Sequence, residues 1–382
     1  MTAARGSLRP ARRGRAVLAA LALAGLGLLA ACSSDKPKPT PLKDYAPKLG
    51  MRQAWHSDIG SIGFPLVPTV QGGVVYVASG SEVRALQVET GAEVWRASAG
   101  DKVAAGVGSD GRYASVVTRG NVVVTFDRGR ELWRHRVESA VVTPPLVAGE
   151  RVFVMGVDRS VQAFDAQDGH LLWRFYRPGD ALTLAQAGVV APFHNTLLVG
   201  QGPRLTALDP LHGTVAWELP MASPRGTNEV ERLADLLGPL VRVGDHVCVR
   251  AFQAAVACAD AAKGSLLWSR ATGGIQAVAG DAERVVGADA SDRITAWRAD
   301  TGDVLWTNET LLYRGLSGGV AMGGSVVFGD AEGWVHFLSA ADGSLQLRLR
   351  TDGKAVIGTP VVASGTLLVT TRDGGLYAFR PS

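Results

Sequence analysis

The stretch Val161–Trp173, with the sequence VQAFDAQDGHLLW, carries the pattern that decides the fold of this chain. It reads as a β-strand, a tight turn ending in Gly169, and a second strand that places Trp173 four residues after the glycine. The same spacing occurs six times, with successive tryptophans 38 to 51 residues apart. A period near forty residues, built from short strands, is typical of a β-propeller blade. The six pairs are Gly91/Trp95, Gly129/Trp133, Gly169/Trp173, Gly213/Trp217, Gly264/Trp268 and Gly302/Trp306.

Both ends of the chain are needed to count the blades. Trp55 lies in an outer strand that no partner strands precede, and a weaker seventh copy of the pattern runs from Gly343 to Leu347. The C-terminal segment contains three strands that lack a fourth, namely Val356 to Ala363, Leu367 to Thr371 and Leu376 to Arg380. We therefore predict an all-β, eight-bladed propeller over residues 49–382, with four-stranded antiparallel blades. The N-terminal strand closes the last blade, so that closure leaves no open sheet edge.

The tryptophans recur in nearly every unit, and this favours a structural role for them. A flat indole ring on an outer strand can stack against the next blade and bury roughly 200 Å². A sugar-binding or peptidoglycan-binding propeller is an alternative function, but a binding platform would be expected at one place rather than in each repeat.

The first 31 residues have the composition of a secretory signal peptide. Basic residues precede an apolar run of 16 residues from Ala16 to Ala31, which is too short to span a membrane. The run ends in Leu29-Ala30-Ala31-Cys32, which resembles a bacterial lipobox. The resemblance implies cleavage after residue 31, lipidation of Cys32 and, because Ser33 follows it, delivery to the outer membrane.

Removal of the signal peptide changes the charge of the chain. It contains five of the 39 basic residues and none of the 35 acidic ones, so the formal charge falls from +4 to about −1. The mature chain is therefore not basic, and nucleic-acid binding is not predicted.

Residues 32–48 are predicted to form a tether between the lipidated cysteine and the folded body. Four prolines and four lysines follow Cys32, and such a composition favours an extended chain without a core. At roughly 3 Å per residue, this segment could hold the body up to about 50 Å from the bilayer.

Cys248 and Cys258 flank a predicted hairpin turn at Phe252-Gln253-Ala254, in an export compartment that permits disulfides. A three-residue loop would place the two cysteines directly opposite each other. A two-residue loop would point them to opposite faces of the sheet, so a disulfide remains possible rather than required.

No stretch of the sequence assembles a catalytic or metal-binding centre. Gly315 to Gly319, which includes Ser317, matches a nucleophile elbow, and Gly106 to Gly111 matches a dinucleotide fingerprint, but neither precedes a predicted helix. The seven histidines show no metal-ligand spacing. We expect no enzyme activity, no metal and no cofactor.

The repeat resembles that of the quinoprotein-like propellers, best seen at Val161 to Trp173 and Leu205 to Trp217. That resemblance raises a second possibility, a periplasmic dehydrogenase that holds pyrroloquinoline quinone. Such dehydrogenases carry an adjacent cysteine pair, calcium-binding carboxylates and long extra loops, and this sequence has no Cys-Cys pair.

Taken together, the lipobox, the tether, the eight units and the long interval before Trp268 resemble the BamB family. Its members are lipoprotein subunits of the outer-membrane β-barrel assembly machinery. The resemblance implies a scaffold on the periplasmic face of the outer membrane. The scaffold would bind the periplasmic domains of the barrel-inserting subunit BamA, contact other subunits and offer its blade edges to unfolded outer-membrane proteins. The positions that it assigns to partner binding are Leu182, Leu184, Glu229, Arg232 and Asp235.

Two positions depart from the family pattern. An arginine of the earlier segment is replaced by Ala185, and a second acidic residue of the later loop is replaced by Leu237. Either the contact is more apolar in this chain, or binding has moved to neighbours such as Glu229 and Arg232.

Overall fold

The computed structural model describes residues 1–4, 37–64, 66–177, 183–224 and 226–382. Met1–Lys38 and Pro39–Ser382 are two separate compact units, and the strands described below belong to the second. The predicted lipidation residue Cys32 and the predicted contact residue Leu182 lie outside the described residues. Within the described part of the chain, no helix is long and apolar enough to cross a membrane.

The described residues form 32 strands. In chain order the first half comprises β1 (Met51–Asp58), β2 (Thr69–Gln71), β3 (Val74–Ser79), β4 (Glu82–Gln87), β5 (Glu93–Ser98), β6 (Val103–Ser109), β7 (Tyr113–Thr118), β8 (Val122–Asp127), β9 (Arg130–Arg136), β10 (Leu146–Ala148), β11 (Arg151–Met155), β12 (Val161–Asp165), β13 (Leu171–Phe175), β14 (Val190–Phe193), β15 (Thr196–Gln201) and β16 (Arg204–Leu208). The second half comprises β17 (Val215–Pro220), β18 (Leu236–Val243), β19 (His246–Ala251), β20 (Ala255–Asp260), β21 (Ser265–Ala271), β22 (Ala279–Gly280), β23 (Arg284–Ala288), β24 (Ile294–Arg298), β25 (Val304–Asn308), β26 (Gly319–Met322), β27 (Ser325–Gly329), β28 (Trp334–Ser339), β29 (Leu345–Arg350), β30 (Val361–Ala363), β31 (Thr366–Thr370) and β32 (Gly375–Pro381).

These strands form eight four-stranded antiparallel sheets, which confirms the predicted eight-bladed propeller. Blades one to seven each consist of four consecutive strands, from β2–β5 in blade one to β26–β29 in blade seven. Blade eight consists of β30, β31 and β32 with β1 as its outer strand. The pairing runs from Met51 opposite Pro381 to Asp58 opposite Gly375, so the two ends of the chain close the propeller as predicted.

Adjacent blades meet through a repeated contact between a tryptophan and a glycine. The indole ring on the outer strand of one blade lies on the turn glycine between the third and fourth strands of the next. A methyl group added at Gly302, for example, would lie 2.5 Å from the ring of Trp268. The other pairs in contact are Trp55 with Gly91, Trp95 with Gly129, Trp133 with Gly169, Trp173 with Gly213, Trp217 with Gly264 and Trp306 with Gly343.

Two independent features of this turn require glycine. Its φ is positive, for example 69° at Gly302, which L-residues with side chains rarely adopt. Its missing side chain also makes room for the indole ring. The ring is then held by a hydrogen bond, because the indole N–H of Trp268 donates to the carbonyl of Ala299 in the next blade at 2.8 Å. The same bond is made by Trp55, Trp133, Trp173 and Trp306.

The seventh, weaker copy of the pattern faces the interface where the propeller closes. In blade eight, the third strand β32 and the outer strand β1 belong to opposite ends of the chain, so no glycine turn connects them. Leu347, at the tryptophan position of blade seven, packs into a cluster with Tyr377 and Phe379, against which Leu49 also packs. Blade eight therefore offers no turn glycine on which a tryptophan could lie, and Leu347 packs against side chains from the two chain ends instead.

The segment Pro39–Lys48, which we call the N-terminal strap, contacts the propeller, although its composition predicted a free tether. Its backbone bonds to the link between blades six and seven and to the outer strand β29, through Thr40 N–H to Leu312 O at 2.9 Å and Lys48 N–H to Gln346 O at 2.8 Å. Leu42 packs against the apolar cluster of these blades. Residues 37–39, the described part of the predicted tether before Thr40, are exposed.

A buried charged cluster holds the strap at its N-terminal end. Arg314 donates to Asp330 from Nε at 2.8 Å and to the carbonyl of Thr40 from Nη1 at 3.0 Å. The Nε2 atom of His336 lies 2.9 Å from the same Asp330 carboxylate. Burial lowers the pKa of His336 against the opposing effect of Asp330. The Nδ1 atom of His336 has no hydrogen-bond partner, which also favours the neutral ring, because a charged imidazole would bury an unpaired N–H there.

Substituting Gly302 by alanine tests the tryptophan contact, and Gly323 provides a matched control. Both glycines have positive φ, 69° and 51°, but a methyl group at Gly323 would meet nothing within 4 Å. Gly323→Ala should cost about 1 kcal/mol from φ alone, and Gly302→Ala a further 1–3 kcal/mol or so from the overlap with Trp268. Urea denaturation should therefore give a lower midpoint for Gly302→Ala than for Gly323→Ala. Equal midpoints would show that the contact with Trp268 is not what requires glycine at position 302.

Stability should fall between pH 7 and pH 5 because of His336. Below its unfolded pKa of about 6.5, the unfolded chain takes up a proton that the folded His336 resists, so the folded state is progressively disfavoured as pH falls. His336→Gln should flatten this part of the stability profile, measured as the urea midpoint against pH. Exposed His170→Gln serves as the control and should leave the slope unchanged. An unaltered slope in His336→Gln would contradict a neutral buried histidine.

Candidate partner-binding surface and central channel

The central channel is a cavity of about 650 Å³ between the inner ends of the blades. Its lining is mainly apolar side chains and glycines, including Phe64, Ile275, Leu316 and Ile357. Arg372 is the one charged residue among the described residues that line it. The channel lining is therefore weakly polar.

This lining does not fit a calcium-bound quinone cofactor. Calcium takes oxygen ligands, usually with carboxylates among them, and no carboxylate lines the cavity in the described part of the chain. Nor do any three His, Cys, Asp or Glu side chains among the described residues come together to hold a metal. Ser317, in the glycine-rich motif, lies at the channel but donates to the carbonyl of Gly318 and accepts the Gly329 N–H, so its hydroxyl serves the backbone.

The long interval between Trp217 and Trp268 forms a loop, residues 221–235, between β17 and β18. Its middle is a single tight turn with internal hydrogen bonds. The carboxylate of Glu231 accepts the backbone N–H of Thr227 at 2.7 Å, and Asn228 Oδ1 accepts the N–H of Glu231 at 2.9 Å. This reciprocal pair of bonds resembles a capping box without a following helix, and it holds residues 227–231 in a turn. The bond from Thr227 also holds the pKa of Glu231 below its usual value.

The turn presents an apolar residue between charged ones. Val230 is 72% exposed, more than any other large apolar side chain outside the N-terminal methionine in the described residues. Glu229 and Arg232 are exposed on either side of it. An exposed apolar anchor with flanking charges is the composition of a protein-binding tip, since the apolar group supplies affinity and the charges supply orientation.

Asp235 is mostly buried, unlike the exposed residues of the turn before it. Its side chain is only 18% exposed, and its Oδ2 accepts the backbone N–H of Leu184 at 2.8 Å, while Oδ1 lies 3.8 Å from Nη2 of Arg159. Burial raises the pKa of Asp235, and the bond from Leu184 partly offsets that rise. Asp235 therefore joins the loop to the segment before β14, which brings the two predicted contact segments together.

The two departures from the family pattern lie in different environments. Ala185 is exposed next to Leu184, which is itself half-buried. Leu237 is 3% exposed, pairs with Gly188 as an isolated bridge and lines the central channel. Leu237 therefore does not add an apolar contact at the surface. Ala185, Glu229 and Arg232 are all exposed, so both possibilities raised by the sequence stay predictions.

Cys248 and Cys258 face each other in the register between β19 and β20 and are joined by a disulfide bond. The turn between these strands has three residues, Phe252 to Ala254, which places the two cysteines directly opposite. Both are buried, so the bond is internal to blade five. It lies in the same blade that the long loop enters.

Sequence reasoning missed two residues of this surface. Val230 could not be predicted as a contact residue because a single apolar residue in a loop matches no motif. The only signal in the sequence is its position between Glu229 and Glu231. Arg159 comes from the turn between β11 and β12 in blade three, and its approach to Asp235 depends on the packing of separate blades. Only the fold brings Arg159 to the site.

The eight four-stranded blades and their repeated contact between a tryptophan and a glycine define a class, the quinoprotein-like propellers. A family model described as outer membrane protein assembly factor BamB matches residues 79–308 and 301–381. The chain is 38% identical over 362 residues to outer membrane protein assembly factor BamB of Burkholderia pseudomallei, covering 93% of this chain and 95% of the relative. The chain therefore belongs to the BamB family, and its role lies in outer-membrane protein assembly.

Solved structures share the fold at lower identity. BamB from Moraxella catarrhalis matches with a TM-score of 0.78 and 23% identity, over 86% of this chain and 99% of that one. Quinohemoprotein alcohol dehydrogenase ADHIIG from Pseudomonas putida matches with a TM-score of 0.67 and 14% identity, over 89% of this chain and 78% of that one. The propeller is thus common to assembly factors and dehydrogenases, so the fold alone does not separate them.

Two substitutions of Asp235 should separate its role as a hydrogen-bond acceptor from its charge. Asp235→Ala leaves the Leu184 N–H unpaired and should cost about 1–3 kcal/mol, whereas Asp235→Asn keeps an acceptor and should cost less. Hydrogen exchange of the Leu184 amide should accelerate clearly in the alanine variant and remain near wild type in the asparagine variant. Equal acceleration in both would show that the charge, rather than the bond, joins the two segments.

Proposed function

We propose that this chain is a non-catalytic scaffold subunit of the outer-membrane β-barrel assembly machinery. It binds the periplasmic domains of a BamA-like subunit and so aids the folding and insertion of outer-membrane proteins. The observation that carries the proposal is the ordered loop of blade five, which presents Val230 between Glu229 and Arg232. Family membership supports the same role.

We further propose that the chain is a lipoprotein held on the periplasmic face of the outer membrane through Cys32. The support for this is the lipobox-like sequence Leu29-Ala30-Ala31-Cys32 after a basic and apolar leader. Acyl chains on Cys32 would keep the propeller in the plane where its partners work, and they raise its effective concentration there.

The insertion surface, which we define as Leu184, Glu229, Val230 and Arg232 with Asp235 behind them, suits a standard protein interface. Its turn is ordered by internal hydrogen bonds, so less conformational entropy is lost on binding. Burial of Val230 in a partner pocket would supply roughly 1–2 kcal/mol. Glu229 and Arg232 would set orientation and association rate.

The propeller supports this role through rigidity. The contacts between tryptophans and glycines fix each blade against the next, so the loops at the rim keep their positions. A scaffold needs such a fixed surface and no reactive group, and this agrees with Ser317 being bonded to backbone.

Co-purification from solubilised membranes tests the proposal. Val230→Asp, alone and with Glu229→Arg and Arg232→Glu, should lower the recovery of the BamA-like subunit about tenfold or more, because a charge replaces the buried anchor and the flanking charges are reversed. The matched control is Val304→Asp, which alters a 60% exposed valine on the outer strand of blade six and should leave recovery unchanged.

Wild-type recovery with the triple variant, while circular dichroism shows it folded, would contradict binding through the insertion surface. Loss of recovery in Val304→Asp to the same extent would place the interface on the blade edges instead. Either result would leave the family membership of the chain untouched.

A further inference from the structure

Two unpaired arginines lie at one side of the central channel. Arg372, in the turn between β31 and β32, lines the cavity, and its exposed guanidinium makes no hydrogen bond or ion pair with the described residues. Arg119, in the turn between β7 and β8, is exposed and equally unpaired. Its Nη2 atom lies 3.1 Å from the position that a Cβ would take on Gly63, a lining residue. The N–H of Ile62 donates to the carbonyl of Arg372 at 3.0 Å, so both arginines flank the same link between blades eight and one.

A third arginine lies behind the channel wall. Arg250 is 0% exposed and pairs in the register of β18 and β19 with Leu237, which lines the cavity. Its guanidinium donates to the carbonyls of Gly273 at 2.8 Å and Ala288 at 2.9 Å, and it forms no ion pair with a described carboxylate. Burial lowers the pKa of Arg250 to about 10, with Asp289 partly opposing that change, so the group stays charged at neutral pH. The wall therefore contains a buried positive charge without a bonded counter-ion.

The carboxylates that approach the lining are already bonded to other groups. Asp292 accepts the N–H groups of Gly315 and Leu316, two lining residues, at 2.6 and 3.1 Å. Asp373, in the turn of blade eight, pairs with Lys354 at 3.2 Å. Because charges in an apolar cavity are screened less than in water, the unpaired arginines favour an anion inside the channel.

We propose that the central channel binds a small apolar carboxylate, whose carboxylate group pairs with Arg372 and whose hydrocarbon body fills the channel. The cavity of about 650 Å³ has the volume of a small-molecule site, for which about 300–1,000 Å³ is usual. Phe64, Ile275 and Ile357 supply its apolar surface. Ile275 is 40% exposed, and a ligand would cover that surface. No member of the insertion surface lines the cavity, so this site is separate from the proposed partner contact.

The head group follows from the donors that the lining offers. Arg372 is the single charged side chain among the described lining residues, and a guanidinium binds a carboxylate through two parallel N–H···O bonds. The other long polar side chains of the lining, those of Gln186 and Gln276, are neutral. A phosphate or another multiply charged anion would bury charge for which this lining has no partner. A singly charged carboxylate is therefore favoured.

Binding of two carboxylates of different shape tests the proposal. Isothermal titration calorimetry would compare phenylbutyrate and octanoate with phenylbutanol and phenylbutylamine, which share the phenylbutyl body but carry a neutral or a positive head group. The sample is full-length protein in phosphatidylcholine nanodiscs, and empty nanodiscs give the blank. We expect phenylbutyrate to bind about tenfold or more tightly than phenylbutanol, because only the carboxylate forms charge-assisted bonds with Arg372. Phenylbutylamine should not bind.

Arginine variants locate the head group. Arg372→Gln should weaken the binding of phenylbutyrate about tenfold or more and leave that of phenylbutanol unchanged. Arg119→Gln should have a smaller effect, since Arg119 adds positive potential without lining the cavity. The matched control is Arg130→Gln, which removes an exposed, unpaired arginine on the outer strand β9 and should leave both affinities unchanged.

A cavity-filling variant locates the hydrocarbon body. Ile275→Trp places a larger ring in the channel and should abolish the binding of both phenylbutyrate and phenylbutanol. Circular dichroism and the urea midpoint would show that the variant is folded.

Each contrary result has a definite meaning. Failure of both carboxylates to bind at millimolar concentrations, or equal affinities for phenylbutyrate and phenylbutanol, would overturn the proposal. Wild-type affinity for phenylbutyrate in Arg372→Gln or in folded Ile275→Trp would place the ligand outside the channel, and it too would overturn the proposal. None of these results bears on the proposed partner binding, which is measured by recovery of the BamA-like subunit.

Discussion

At seven interfaces of this propeller, an indole ring from one blade lies on a turn glycine of the next, and the remaining structure depends on that contact. The glycine must satisfy a positive φ and leave space for the ring at the same position, as at Gly302 under Trp268. The repeat is therefore visible in the sequence, because neither partner can be replaced without cost. The pairing of β1 with β32 inside blade eight closes the ring of blades. At the eighth interface, between blades seven and eight, Leu347 packs where a tryptophan would otherwise lie.

Repetition explains how far the sequence predicted the fold. Local signals gave the antiparallel order of blades one to seven, because each of these blades is set by residues within about forty positions of each other. Closure by the N-terminal strand followed from the count, since one strand was left over at the N-terminus and three at the C-terminus. The strap was different. Tyr45 and Arg348 are 303 residues apart, so their contact has no local signature, and the prolines and lysines around them predicted an extended spacer. The inner strand predicted from Val356 to Ala363 is shorter in the structure, where β30 covers Val361–Ala363.

The candidate site shows the same division between local and distant contacts. The loop with Glu229 and Arg232 was located from the long interval that contains it. The role of Asp235 as an acceptor for Leu184, 51 residues away, and the approach of Arg159 from another blade required the fold. The two departures from the family pattern likewise acquired meaning only from position, since Ala185 is exposed whereas Leu237 faces the channel. The proposed partner-binding loop therefore lies where the repeat is interrupted, between blades four and five.

Site-specific photo-crosslinking in intact cells tests most directly whether the interrupted part of the repeat contacts the assembly machinery. A photoreactive amino acid would replace Val230 in the loop or, in a separate strain, Val304 on a regular outer strand; these side chains are 72% and 60% exposed. The account predicts an adduct with the BamA-like subunit from position 230 and none from position 304. An adduct from position 304 without one from position 230 would contradict it.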